Sequence, residues 1–77
     1  LFVMGSNPVV SNPNIPLVRA ALEKLHMLIV ADLFLSETAQ LADVVLPVTA
    51  YLENTGTLTN LEGRVLLREA ARPIPYE

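Results

Sequence analysis

The sequence predicts an α/β fold with a short parallel sheet, and two observations carry that prediction. Three brief, continuously apolar runs recur along the chain: Leu1–Met4, Met27–Ala31 and Val44–Leu46. Each has strand length and none alternates with polar residues, which is how strands buried on both faces of a parallel sheet read. The segments between them are too long for hairpins and carry helix signals, so they read as right-handed crossovers joining parallel strands. Residues 1–47 therefore read β-α-β-α-β.

Taken in order, the first run ends at Gly5, and Gly5-Ser6-Asn7-Pro8 reads as loop. Asn12-Pro13-Asn14 is a second turn cluster. Asn14 is then expected to cap the best helix of the chain, with Pro16 in its first turn, where a missing N–H costs nothing. Val18, Ala21, Leu22 and Leu25 share one face of it, opposite Arg19, Glu23 and Lys24, and Lys24 suits the negative end of the helix dipole. Met27–Ala31 is closed by Asp32. Ser36 is expected to cap a short helix from Glu37 to about Ala42, with Glu37 in its first turn. Pro47 stops the third strand. Tyr51 to Thr55 reads as polar loop. Thr57–Asn60 and Arg64–Arg68 flank Leu61-Glu62-Gly63 as a turn or short antiparallel pair, and Arg72-Pro73-Ile74-Pro75 reads as extended exit chain. The whole predicts a three-layer, Rossmann-like fragment of β-α-β-α-β order with a C-terminal extended or hairpin segment.

Composition narrows the function classes. Of 77 residues, 52% are hydrophobic and 17% charged, which argues against intrinsic disorder. Five scattered Lys and Arg within a net charge of −3 do not make a nucleic-acid or anionic-membrane surface. The absence of Cys removes disulfides, thiolate metal sites and cysteine nucleophiles, and His26 alone cannot build a histidine-rich metal site. No apolar run approaches the roughly 20 residues of a membrane span. Leu1 opens the chain without Met or a charged leader, and Phe2-Val3-Met4 reads as a strand under way. The expectation is a piece, residues 1–77, of a larger protein whose other parts cover the surplus apolar surface, with the cytoplasm as the default compartment.

Ligands of open parallel sheets bind beyond the carboxyl ends of strands, where the crossover direction reverses. Two features stand at such ends. Gly5-Ser6-Asn7 follows the first strand: Gly5 permits close backbone approach and Asn7 supplies a donor and an acceptor. Ala31-Asp32 ends the second, and its carboxylate can accept from a guanine edge or from ribose hydroxyls. The same residues also read as an ordinary turn and an ordinary loop acid. Neither GxGxxG nor a Walker lysine is present. Glu53 and Glu62 read as solvated loop acids, Asp43 as a helix-end or loop residue, His26 as a C-terminal cap, and Ser36 as a cap rather than a nucleophile. No catalytic residue and no metal ligand can be assigned.

Four ordered stretches carry a family resemblance: Met4-Gly5-Ser6-Asn7-Pro8, Val30-Ala31-Asp32-Leu33-Phe34-Leu35-Ser36-Glu37-Thr38-Ala39, Ala42-Asp43-Val44-Val45-Leu46-Pro47, and Glu53 to Val65. Together they cover nearly the whole chain and resemble the prokaryotic molybdopterin oxidoreductases, which include nitrate reductases and formate dehydrogenases. The resemblance implies a segment of one α/β cofactor-binding domain in a large catalytic subunit. Such subunits hold molybdenum or tungsten through molybdopterin guanine dinucleotide, with an iron–sulfur cluster in another segment. It implies cofactor contacts at Gly5, Ser6, Asn7, Ala31, Asp32 and Asn54, the last where periplasmic nitrate reductases carry Lys. As partners it implies the remaining domains of the parent enzyme and an electron-transfer protein, with no nucleic acid and no membrane insertion. A second branch, the molybdenum-free large iron–sulfur subunit of respiratory NADH dehydrogenase, is resembled most closely by Thr57 to Val65.

Overall fold

The structure is a computed structural model that describes residues 1–73. In chain order it comprises β1 (Phe2–Met4), α1 (Pro8–Ser11), α2 (Ile15–Glu23), β2 (Ile29–Asp32), α3 (Glu37–Gln40), β3 (Val44–Pro47), a 3-10 turn (Tyr51–Glu53), β4 (Gly56–Thr59) and β5 (Val65–Arg68). The first three strands form a parallel sheet in the order β1-β2-β3, and β4 and β5 form a separate antiparallel pair.

Register fixes which side chains share a face. Val3 lies opposite Val30, and Val30 opposite Val45. Side chains alternate along a strand, so Leu28 joins these three on one face. That face packs under the helices: Val9, Leu22, Leu28, Val30 and Ala39 form the core, with Val3, Val18, Leu41 and Ala42 against it. Strand order without reversal and right-handed crossovers put both connections on this side. The opposite face carries Phe2, Met4, Val44 and Leu46, which are 49%, 68%, 40% and 44% exposed, around the buried Ala31, and on the helix-bearing face the edge residue Val45 is 40% exposed as well. Among the described residues there are thus two layers, not the three expected, and only β2 is buried as a central strand should be. The crossover reversal expected for a ligand crevice is likewise missing from the described strands. The shape agrees: Cα extents of 40 × 34 × 16 Å and a radius of gyration of 15.2 Å exceed the about 11–12 Å of a compact chain this long.

Other boundaries shift for local reasons. Pro8, read as the end of the Gly5–Pro8 loop, instead opens the helix Pro8–Ser11 as its first residue. Asn14 stands at the N-cap of α2 but in the left-handed region (φ 57°, ψ 65°), and its side chain makes no cap; its carbonyl accepts from the Leu17 and Val18 amides instead. Of the expected α2 face, Leu22 is buried and Val18 half-buried, whereas Ala21 and Leu25 are exposed. The helix stops at Glu23 with Lys24 as C-cap, and His26, two residues beyond, is exposed and is not the cap. Helix α3 is capped as expected, Ser36 Oγ accepting the Ala39 N–H at 3.2 Å, but ends at Gln40.

Asp43 is a structural residue. Its Oδ2 accepts the Leu28 N–H at 2.8 Å while its own N–H donates to the Leu28 carbonyl at 2.8 Å, which locks the start of β3 to that of β2. The hairpin turn is closed by Asn60, whose Oδ1 accepts from the Glu62 and Arg64 amides, with Gly63 at φ +81°. Of the exit segment, Ile74 and Pro75 lie outside the described residues.

Replacing Leu28, 1% exposed, by Ala is expected to destabilise the fold by about 2–5 kcal/mol. Leu61→Ala, at a fully exposed turn position, should change stability by no more than about 0.5 kcal/mol. Urea midpoints of the two variants measure the contrast.

Candidate functional site at the carboxyl edge of the sheet

The parallel register brings the ends of β1 and β2 side by side. Met4 is opposite Ala31, and the Gly5 N–H donates to the Ala31 carbonyl at 2.9 Å. Gly5 adopts φ +57°, and no heavy atom beyond its chain neighbours comes within 4 Å of where a Cβ would stand. The left-handed backbone there favours glycine, and the space above it is open. Ser6 is exposed beside it. Five of the six sequence-derived site residues, Gly5, Ser6, Asn7, Ala31 and Asp32, therefore gather on one edge.

Asn7 is more deeply engaged than its position in a loop implied. Its Oδ1 accepts both the Thr38 N–H (3.2 Å) and the Thr38 hydroxyl (2.6 Å), and its Nδ2 donates to Glu37 Oε2 at 2.7 Å. Thr38 is fully buried, and its Oγ1 in turn accepts the Val9 N–H at 3.2 Å. These amides are among the donors that helix starts leave without intrahelical partners. Asn7, the N-cap of α1, thus caps α3 from another loop, while Thr38 of α3 caps α1. The hydrogen bond from Asn7, with one from the backbone, holds the Glu37 carboxyl below its ordinary pKa.

Asp32 is half-buried at the end of β2. Its Oδ1 accepts the Leu33 N–H at 2.7 Å, and its Oδ2 has no hydrogen bond among the described residues. Beyond it, Leu33, Phe34 and Leu35 are exposed, Phe34 by 80%. Asn54 reaches the same edge indirectly. The Val48 N–H donates to the Asp32 carbonyl at 3.3 Å, and one residue on, Thr49 Oγ1 accepts from Asn54 Nδ2 at 2.9 Å. Asn54 Oδ1 accepts from Arg68 Nη2 at 2.9 Å, and the Arg68 guanidinium lies 5.7 Å from the centre of the Tyr51 ring.

Sequence reasoning missed several members of this neighbourhood. Glu53 is not a solvated acid: its side chain is 10% exposed, its Oε2 accepts the Ala50 N–H at 2.8 Å, and Oε1 is 3.7 Å from Arg72 Nε. The spacing from residue 50 to Glu53 is that of a capping box, but Ala50 lacks the hydroxyl that would have marked it. Thr38 and Arg68 left no local signal, since their partners stand 31 and 14 positions away. Glu62, by contrast, is exposed as expected. Among the described residues no three His, Cys, Asp or Glu side chains cluster as metal ligands, and no helix is long and apolar enough to cross a membrane.

Comparison with known proteins gives the edge a context. The family pattern described as Molybdopterin oxidoreductase matches residues 1–77. The assimilatory nitrate reductase catalytic subunit of Bacillus subtilis is 60% identical over the whole chain. The F420-dependent formate dehydrogenase subunit alpha of Methanocaldococcus jannaschii is 53% identical over 95% of it. An NADH-quinone oxidoreductase subunit of Rhizobium meliloti is 50% identical over 95% of it. The chain spans 11%, 11% and 9% of these three relatives.

Asn7→Ala would strip the buried Thr38 of its acceptor, a loss expected to cost about 1–3 kcal/mol. It should also raise the Glu37 pKa towards the ordinary carboxylate value, which an NMR titration of that carboxyl reads directly. A depressed folded pKa contributes stability above the unfolded value and loses it as pH falls through the folded one. The variant should therefore show a shallower Glu37 contribution to acid destabilisation.

Proposed function

The chain belongs to the molybdopterin oxidoreductase family, and from that premise we propose that it is a segment of a cofactor-binding domain in a larger oxidoreductase. In this reading the carboxyl edge of its parallel sheet receives the guanosine end of a molybdopterin guanine dinucleotide. The observation that carries the reading is the adjacency of two polar strand ends, Gly5-Ser6-Asn7 and Ala31-Asp32, joined by the Gly5–Ala31 hydrogen bond.

The donor set fits such a ligand end. Asp32 Oδ2 is an acceptor without a partner among the described residues, suited to the N–H donors of guanine or to ribose hydroxyls. Gly5 leaves open space over its backbone, and Ser6 offers an exposed hydroxyl. Asn7 holds the loop in place through α3 and keeps one amide hydrogen for a ligand. Ala31, small and buried, lets the ligand approach the strand end closely. Asn54 closes the site from the segment beyond β3. When bound, the molybdenum or tungsten held by the pterin supplies the redox chemistry. The residues of this chain bind and orient the nucleotide tail and keep it apart from the reacting centre. An iron–sulfur cluster, the remaining domains and an electron-transfer partner complete the proposed enzyme, which we assign to the cytoplasm.

The similarity to the Rhizobium meliloti NADH-quinone oxidoreductase protein supports a second reading, in which the same fold serves as an electron-carrying scaffold without molybdenum. One measurement separates the two: molybdenum, tungsten and guanine nucleotide assayed in the full-length protein. Both metal and nucleotide are expected, and absence of both would favour the scaffold. In the full-length protein Asp32→Ala should weaken nucleotide retention by about 1–3 kcal/mol, roughly 5- to 150-fold. Wild-type nucleotide content in that variant would remove Asp32 from the site.

A further inference from the structure

We propose that Arg68, rather than Asn54, supplies the anion contact at the hairpin corner of this site, and that its ligand is a phosphate group of the dinucleotide. The proposal rests on the reading above and names a residue that neither motif nor resemblance singled out.

The arginines of the chain fall into two kinds. Arg19 lies 3.3 Å from Glu23, Arg64 4.0 Å from Glu62 and Arg72 3.7 Å from Glu53, and all three are exposed. Arg68 is the half-buried one, and it has no carboxylate within salt-bridge distance among the described residues. Its guanidinium stays charged at any physiological pH. It nonetheless meets only neutral groups: the Asn54 amide oxygen through Nη2 and the face of Tyr51. Nη1 is shut off from water and is the one buried side-chain nitrogen or oxygen without a hydrogen-bond partner among the described residues. A half-buried cation with one unpartnered N–H group and no counter-charge is costly, and an anion drawn in beside it relieves that cost.

Asn54 carries no charge to answer an anion with: its oxygen accepts from Arg68, and one of its two Nδ2 hydrogens goes to Thr49. What Asn54 does is hold the guanidinium against the segment that leaves β3. Tyr51, 68% exposed, covers the other side. With the Tyr51 ring displaced, the planar fork would suit two phosphate oxygens at once. It also places the positive charge of the corner on the same neighbourhood as Asp32, through Asn54, Thr49 and Val48.

The test uses the full-length protein and measures guanine nucleotide freed by acid hydrolysis, per mole of folded protein after gel filtration. Arg68→Gln keeps a donor for Asn54 but removes the charge, and it should lower retained nucleotide about tenfold. Adding Asn54→Lys to Arg68→Gln restores a cation at the corner and should recover most of the loss, which a purely structural role for Arg68 would not predict. Wild-type content in folded Arg68→Gln, or no recovery in the double variant, overturns the proposal. If Arg68→Gln does not fold, Arg68→Lys replaces it: retention should then fall more steeply with added salt than in the wild type, and an identical salt profile overturns the proposal. A wild-type protein without guanine nucleotide would instead defeat the site reading, and this inference with it.

Discussion

Two helices of four residues each hold one another's first turn, and the carboxyl edge depends on that exchange. Neither α1 nor α3 is long enough to be stable alone, since a helix this short gains little for the backbone order it requires. Asn7 caps α3 through Thr38, and Thr38 caps α1 through Val9. The hydroxyl of Thr38 donates to one partner and accepts from the other, so a fully buried polar side chain is satisfied on both counts. Because Asn7 follows β1 and Thr38 follows β2, the exchange also pins the two loops to each other. Gly5, with open space over it, and the exposed Ser6 directly precede the pinned Asn7.

The sheet beneath is one-sided. Its helix-bearing face is an ordinary small core of valine, leucine and alanine, while the other face leaves Phe2, Met4, Val44 and Leu46 in the open. A surface of that kind agrees with a chain that spans about a tenth of its relatives. The hairpin tells the same story. A two-stranded pair is marginal in water, and this one is moored at its base rather than by a core. The Ala71 and Arg72 amides donate to the Leu52 carbonyl, the Ala70 amide to Thr55 Oγ1, and Arg68 to Asn54.

These moorings give the corner around Asn54 its character. Glu53, buried enough to matter, secures the 3-10 turn at one end and faces Arg72 at the other. Asn54 then stands between a hydroxyl from the β3 exit and a guanidinium from β5. The residue that the resemblance marks as a cofactor contact thus also brackets two elements.

How much of this was legible follows from the range of each interaction. Unbroken apolar runs, the Ser36 cap and the Leu61-Glu62-Gly63 turn are local signals, set by sterics and by hydrogen bonds within a few residues, so the sequence by itself determined the strands of the sheet, their parallel direction and helix α3, and narrowed the C-terminal segment to a turn or a short antiparallel pair. It also determined that Gly5 and Asp32 end strands, which put them at one edge once the sheet was parallel. What only the tertiary structure decided were the partners: that α1 exists at all, that Asn7 binds Thr38 and Glu37, that Glu53 is half-buried, and that Arg68 reaches Asn54. Each of those is a polar contact between segments distant in sequence or a matter of burial. The energy of such a contact depends on which groups the fold brings together away from water, a quantity no local pattern contains.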